Sequence, residues 1–218
     1  MDDTTTWKLI HAERASMADT LAGLTPDQWR QRSLCGTWSV QVAAAHIVMG
    51  AEQTRAKFFK RMVANGFRFN HMIDRDARSC GASPSDEIVS RLRATVDATN
   101  GPPAPIMTML GEVVVHSLDI RYPLGVDTTP SPDALAACMT MYVGANFPVG
   151  TKKRIAGLRL VASDGNWSHG DGPEVTGPGT SLLLAMTGRA AALADLSGEG
   201  LVTMRDRMTP PPASATSV

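Results

Sequence analysis

Apolar residues recur at helical spacing through roughly the first two thirds of the chain and then give way to short alternating runs. Leu9, Ile10, Met17, Leu21 and Leu24 set a first helix over residues 5–24. Thr25-Pro26-Asp27 reads as a cap with proline at the first helical position, opening a short turn through Trp29. After a break at Cys35-Gly36-Thr37, Ser39 is the N-cap of a second helix expected to run to Ala64 and stop at Asn65-Gly66. Gly66 to Pro84, about 19 residues, reads as a loop longer than most connections: a binding loop or lid, or a surface excursion held by Phe67 and Phe69. Ser85–Thr99 is a third helix, patterned by Ile88, Val89, Leu92 and Val96 and ended by Asn100-Gly101-Pro102-Pro103. A fourth runs from about Ala104 to Tyr122-Pro123-Leu124-Gly125, and a fifth from about Pro132 to Asn146.

After Pro148 the period changes. Ile155–Ala162 reads as a strand, with Leu158 and Leu160 alternating against Arg159. Trp167–His169 and Glu174–Thr176 follow as short strands between glycine-rich turns. Gly179–Leu196 is helical with a break at Thr187-Gly188-Arg189, and Leu201–Met204 reads as a last strand. The pattern defines a mainly α protein: a helical bundle over residues 1–150, a small α+β domain over 151–207, and a disordered tail over 208–218 that begins its proline run at Pro210.

Composition narrows the function. Lysine plus arginine equal aspartate plus glutamate at 21 each, so no basic field gathers nucleic acid, and aromatics at 5% leave few stacking platforms. No apolar run is long enough to span a bilayer, which needs about 20 residues. The acidic start Met1-Asp2-Asp3 is unlike a secretory leader. Cys35, Cys80 and Cys138 form no spaced pair that implies a disulfide framework, and Cys35 reads as a small buried residue. The expectation is a cytoplasmic protein.

Two segments stand out chemically. Between Ala104 and Leu118 only Glu112 and His116 can ionise, and their four-residue separation puts both on one helix face, with Asp119 continuing the stripe. A carboxylate in an apolar helix needs a partner, a hydrogen bond or a metal. A structural Glu–His pair and a pair of metal ligands both satisfy that need. His46, the one ionisable group between Ser39 and Ala51, is a core histidine or the third vertex of such a site. Two imidazoles and one carboxylate suit zinc or another borderline divalent ion and leave a coordination position open for water or a thiol. Asp119 then orients His116 through its other ring nitrogen, or instead pairs with Arg121 at the helix end.

The stretches Trp38–His46 and Gly111–Gly125, with Trp167–Pro178 and Thr187-Gly188-Arg189, resemble the mycothiol-dependent maleylpyruvate isomerase family. That family belongs to the DinB-like metal-binding helical bundles. The resemblance spans residues 5–205. It implies a DinB-like four-helix bundle followed by a small α+β C-terminal domain, and a divalent metal, zinc first, held by His46, Glu112 and His116. It implies mycothiol as the thiol co-substrate: thiolate adds to a conjugated cis double bond, the new single bond rotates, and thiol leaves to give the trans isomer. It further implies a catalytic role for Arg189, gripping an acidic substrate, and Asp119, from its place on the helix stripe, is the second catalytic candidate. Asn70 and Arg78 of the 66–84 segment are the candidates to contact the thiol at the pocket mouth, and His71 is read as facing solvent. The expected function is thus a metal- and mycothiol-dependent isomerase or thiol transferase acting on a small electrophile, as monomer or homodimer, with no nucleic-acid or membrane partner. The alternatives are a non-catalytic metal-stabilised binding or regulatory module and a metal-dependent hydrolase.

Overall fold

A computed structural model describes residues 1–146 and 149–208; the disordered tail expected from 208 lies almost wholly outside them. The chain divides into two compact units between Ala134 and Leu135, within a helix, whereas the sequence pattern changes only near residue 150.

In the first unit α1 (Asp3–Ala22) opens with Asp2 accepting the Thr5 N–H at 2.7 Å. The short α2 (Pro26–Arg30) carries a full capping box between Thr25 and Gln28. The second helix expected to reach Ala64 is broken into α3 (Val40–Ala51) and α4 (Arg55–Ala64). The break has a physical cause at each end. Asn100 Nδ2 donates to the carbonyls of Ala51 and Gln53, closing α3, and Thr54 accepts the Lys57 N–H to open α4.

The 66–84 segment is not a loop. It forms α5 (Phe69–Cys80), which buries Met72 and Ala77 and packs on α3. Its end is tied there by Gln41 Nε2, which donates to the carbonyls of Gly81 and Ser83 at 2.9 Å each. Next come α6 (Ser85–Ala94) and α7 (Ile106–Leu124), the latter stopped by Gly125 in the left-handed region at φ 63°. Helix α1 packs on α6 and α7, and α3 packs on the same two, so α1, α6, α3 and α7 form a four-helix ring around a shared core. Ile10, Met17, Val40, Val48, Leu92, Leu110, Val114 and Ile120 are buried in it.

One polar cluster lies in that core. Arg121 is 1% exposed; its Nη1 donates to Glu13 Oε1 at 2.6 Å, and Nη2 donates to Ser16 Oγ and Thr20 Oγ1. Burial pushes the Glu13 carboxyl above its usual range, with Arg121 pulling it back.

Helix α8 (Pro132–Val143) straddles the division. The second unit then holds α9 (Thr151–Arg154), unforeseen in the sequence pattern, and a three-stranded sheet in the order β2–β1–β3. In it β1 (Arg159–Ala162) runs antiparallel to β2 (Ser168–His169) and parallel to β3 (Glu174–Gly177). Helix α10 (Gly179–Met186), buried along nearly its whole length, packs on β1 and β3. The break expected at 187–189 is present, followed by a 3₁₀ turn over Ala190–Asp195. The last expected strand is instead helix α11 (Leu201–Asp206), anchored by buried Met204. No helix of the described residues is long and apolar enough to cross a membrane.

Candidate metal centre

Helices α3 and α7 bring the three ionisable side chains of their apolar stretches together. His46 Nε2 stands 3.5 Å from Glu112 Oε1, and the rings of His46 and His116 meet edge to face with centroids 4.7 Å apart. The side chains of His46, His116 and Glu112 keep 11, 15 and 27% exposure, so the cluster is lined by protein yet reachable.

His116 Nδ1 bonds Asp119 Oδ2 at 2.9 Å, and Asp119 is fully buried. Arg121 bonds Glu13. In the neutral ring a carboxylate on Nδ1 holds the proton there and leaves Nε2 as the lone-pair nitrogen.

Two residues that the sequence reading undervalued complete the surroundings. Trp38, 7% exposed, lies over both imidazoles, 5.1 Å from His46 and 6.3 Å from His116 between ring centroids. Its Nε1 donates to Asp74 Oδ1 of α5 at 2.7 Å. Cys35 is not a buried bystander. It is half-buried, and its sulfur, His116 and Asp119 offer ligand atoms within 4.8 Å of one another. The loop that carries it is seated by a backbone substitution: Pro123 has no N–H for the Asp119 carbonyl one turn earlier, and the Leu34 N–H takes that carbonyl at 2.9 Å.

The electrostatics favour a cation. Burial, and then the neighbouring His116, hold His46 well below the ordinary histidine value, so it is a neutral ligand. Burial alone would depress His116 too, but the hydrogen bonds to Asp119 and Cys35 outweigh it and push the imidazole up to about 10. Burial raises Glu112, opposed by His116 and Arg14. In the metal-free protein the proton on His116 is therefore the cation of the cluster.

Two of the expected donors, His46 and Glu112, stand at ligand spacing, whereas the three described side chains whose ligand atoms all lie within 4.8 Å of one another are Cys35, His116 and Asp119. Ligand bonds of about 2.0–2.2 Å in a tetrahedron put neighbouring donors roughly 3.3–3.6 Å apart, and His46 Nε2 and Glu112 Oε1 are 3.5 Å apart. Among the described residues no donor makes a hydrogen bond to the Glu112 carboxylate, and α3 makes room for it with a glycine: a Cβ on Gly50 would sit 2.3 Å from Glu112 Oε1. The Gly50→Ala variant is accordingly expected to fold with α3 intact but to lose at least tenfold in metal affinity, measured by competition with a chromogenic chelator. Among the described residues His46 Nδ1 is buried with no hydrogen-bond partner, unlike Nδ1 of His116, and Trp38 packs on the His46 ring.

The pH dependence follows from His116. Its folded pKa of about 10 exceeds the ordinary 6.5, so in metal-free protein its stabilisation is fully present below pH 6.5 and is lost as pH rises to 10. Urea midpoints of chelator-treated protein should fall across that window. In the Asp119→Asn variant the fall should flatten, and metal affinity should drop roughly 10–100-fold, the usual cost of losing such a partner.

Asn70 and His71 are exposed on α5. Arg78, also exposed, binds Asp74 at 3.0 Å and Thr37 Oγ1 at 2.6 Å, so it braces the Trp38 support. Arg189 belongs to the second unit, where Nη1 donates to the Thr187 carbonyl at 2.9 Å beside Arg154.

Fold and site together define a helical-bundle protein with a His–Glu–His cluster between two of its helices. Residues 10–104 match the family described as the mycothiol maleylpyruvate isomerase N-terminal domain. Among solved structures, the chain is similar to a mycothiol-dependent maleylpyruvate isomerase at 13% identity and a TM-score of 0.65, covering 91% of this chain and 93% of that one. A histidine-to-alanine mutant of a mycothiol-dependent maleylpyruvate isomerase matches at 12% identity and a TM-score of 0.60 over the same shares. The fold is therefore that of these proteins over both units. No curated protein matches the sequence.

Proposed function

We propose that this protein is a metal- and mycothiol-dependent enzyme of the maleylpyruvate isomerase type, acting in the cytoplasm on a small electrophilic acid. The observations that support the reading are the 3.5 Å approach of His46 Nε2 to Glu112 Oε1 and the edge-to-face meeting of the His46 and His116 rings, in a chain whose fold is similar to that of mycothiol-dependent maleylpyruvate isomerase structures. His46, Glu112 and His116 would hold the metal, zinc by donor type. When bound, a divalent cation supplies thiolate near neutral pH from a thiol that is otherwise mostly protonated.

The chain's own residues do the rest. Asp119 fixes the His116 ring and its tautomer. Trp38 shields the two imidazoles on one side and is itself fixed by Asp74. The half-open Glu112 side leaves an approach for substrate. Arg189 is assigned to the substrate's acidic group, since a guanidinium grips a carboxylate with two hydrogen bonds, and Asn70 and Arg78 to the thiol.

Incubation of zinc-loaded protein with mycothiol and maleylpyruvate tests the reading. Isomerisation with no net thiol consumption supports the isomerase. Stoichiometric thiol loss with a new thioether identifies a transferase. Turnover without any thiol would overturn both in favour of a hydrolase, and no turnover with any electrophile would leave a binding module.

A further inference from the structure

We propose that α4 and the turn after it dock on an anionic lipid surface. Among the described residues five large apolar side chains are exposed, and three of them, Phe59, Val63 and Phe67, lie in this one stretch at 57, 64 and 69% exposure. No residue of α4 is buried, so the helix does not turn an apolar face to the core. Polar contacts hold it instead: Arg61 donates to Gln53 and Asp76, and the buried Asn65 donates to the Arg61 carbonyl. At about 3.6 residues per turn, Ala56, Phe59 and Val63 fall on one exposed stripe, with Arg55 and Lys60 on its two flanks.

Phe67 adds an observation of a different kind. Its backbone lies in the left-handed region at φ 59°, and among the described residues it is the one non-glycine there. A bulky residue seldom adopts that conformation. The chain's own packing gains little from this side chain in return, since most of it faces solvent. A strained backbone that presents an exposed phenylalanine points to a contact outside the chain.

Charge selects the partner. From Gln53 to Ile73 there is no aspartate or glutamate, whereas Arg55, Lys57, Lys60, Arg61 and Arg68 are basic. Arg61 is taken by Asp76; Arg55, Lys57, Lys60 and Arg68 are exposed and have no acidic partner among the described residues. The whole chain carries no net charge, so the positive field is local to this stretch. An apolar stripe between cations is the pattern of a helix lying in a bilayer interface, with its apolar side chains in the headgroup boundary and its cations on anionic lipid. A second copy of the chain would bring the same cations together across a two-fold interface, and their repulsion opposes it. A nucleic acid would use the cations but leave the aliphatic part of the stripe uncovered. The association is peripheral, since no helix of the described residues is long and apolar enough to cross a membrane. It departs from the sequence expectation of no membrane partner.

Flotation of the full chain with vesicles of phosphatidylglycerol and phosphatidylcholine, and with vesicles of phosphatidylcholine alone, tests this. The mixed vesicles should bind at least tenfold more tightly. Raising ionic strength from about 0.1 to about 1 M, which shortens the Debye length from about 10 to about 3 Å, should release most of the protein. Lys57→Glu/Lys60→Glu should weaken binding at least tenfold with an unchanged circular dichroism spectrum, because both side chains are exposed. Phe67→Asn is the second variant. Asparagine tolerates the left-handed region, so the thermal midpoint should hold or rise while vesicle binding falls at least threefold; misfolding would lower both. No flotation with the mixed vesicles, equal binding to the two vesicle types, or unchanged binding in both variants would overturn the proposal. So would a dimer in sedimentation that Phe59→Ser dissociates, which gives the face to a second copy. A single-stranded oligonucleotide that binds more tightly than the mixed vesicles, with the same loss in Lys57→Glu/Lys60→Glu, would assign the cations to nucleic acid and overturn it as well.

Discussion

His116→Ala protein, purified without a tag and passed over desalting medium, should carry less than a tenth of the metal found in wild type. It should also show thiol-dependent turnover reduced by at least a thousandfold. The expectation comes from geometry and charge together. His116 is the residue through which every part of the cluster connects: its ring meets His46 edge to face, its Nδ1 is fixed by Asp119, and Cys35 lies against it. Removing the ring leaves Asp119 buried without that partner and reduces the ligand set to His46 and Glu112, which is too few for a stable catalytic site. Glu112→Gln keeps shape and removes only charge, so it should lose most of the metal while leaving the fold. Elemental mass spectrometry on both variants, with circular dichroism as the control for folding, reads the result. Stoichiometric metal retained in His116→Ala would place the ion elsewhere.

The second large effect concerns stability. Glu13→Leu leaves Arg121 charged and 1% exposed, with only the hydroxyls of Ser16 and Thr20 for company. Breaking a buried pair from one side costs about 3–5 kcal/mol, because the surviving charge is uncompensated. The double variant Glu13→Leu/Arg121→Met should recover most of that loss, since a packed apolar pair of similar volume is often neutral or better. The raised Glu13 carboxyl agrees with a pair whose burial is not fully repaid by its partner. Chemical denaturation of wild type, single and double variants checks it. A single variant within about 1 kcal/mol of wild type would contradict the assignment of Arg121 as a charge dependent on Glu13.

The proximity of His46, Glu112 and His116 was legible because they are ionisable residues in stretches that are otherwise apolar, and the four-residue spacing of Glu112 and His116 states their common face. That signal is local. What surrounds the cluster was not, because it depends on distant pieces of chain. Pro123 is visible in the sequence, but nothing nearby says that the carbonyl it frees on Asp119 is taken by Leu34, which brings Cys35 to His116. Trp38 was read as a helix start; its place over two imidazoles depends on Asp74, in a segment expected to be loop.

That segment hid its helix for a definite reason. Arg68 at the N-cap makes no side-chain hydrogen bond, so α5 lacks a start signal, and only Met72 and Ala77 are fully buried along it. The reverse error at Leu201–Met204 has the same root. Four residues are too few to separate a strand from a helix by period, and α11 is settled by packing around Met204. The bundle itself was readable because α1, α3, α6 and α7 each carry their apolar residues at helical spacing.

The most direct test of the central claim, that the cluster holds a metal which takes up a thiol, is the electronic spectrum of the cobalt(II)-substituted protein titrated with mycothiol. The account expects one equivalent of cobalt in a four- or five-coordinate envelope and a sulfur-to-cobalt charge-transfer band that grows to saturation with one equivalent of thiol. The Cys35→Ser variant, run alongside, should give the same thiol-dependent band, which assigns the sulfur to the added thiol. A cobalt-loaded wild type whose spectrum does not respond to thiol would contradict the claim.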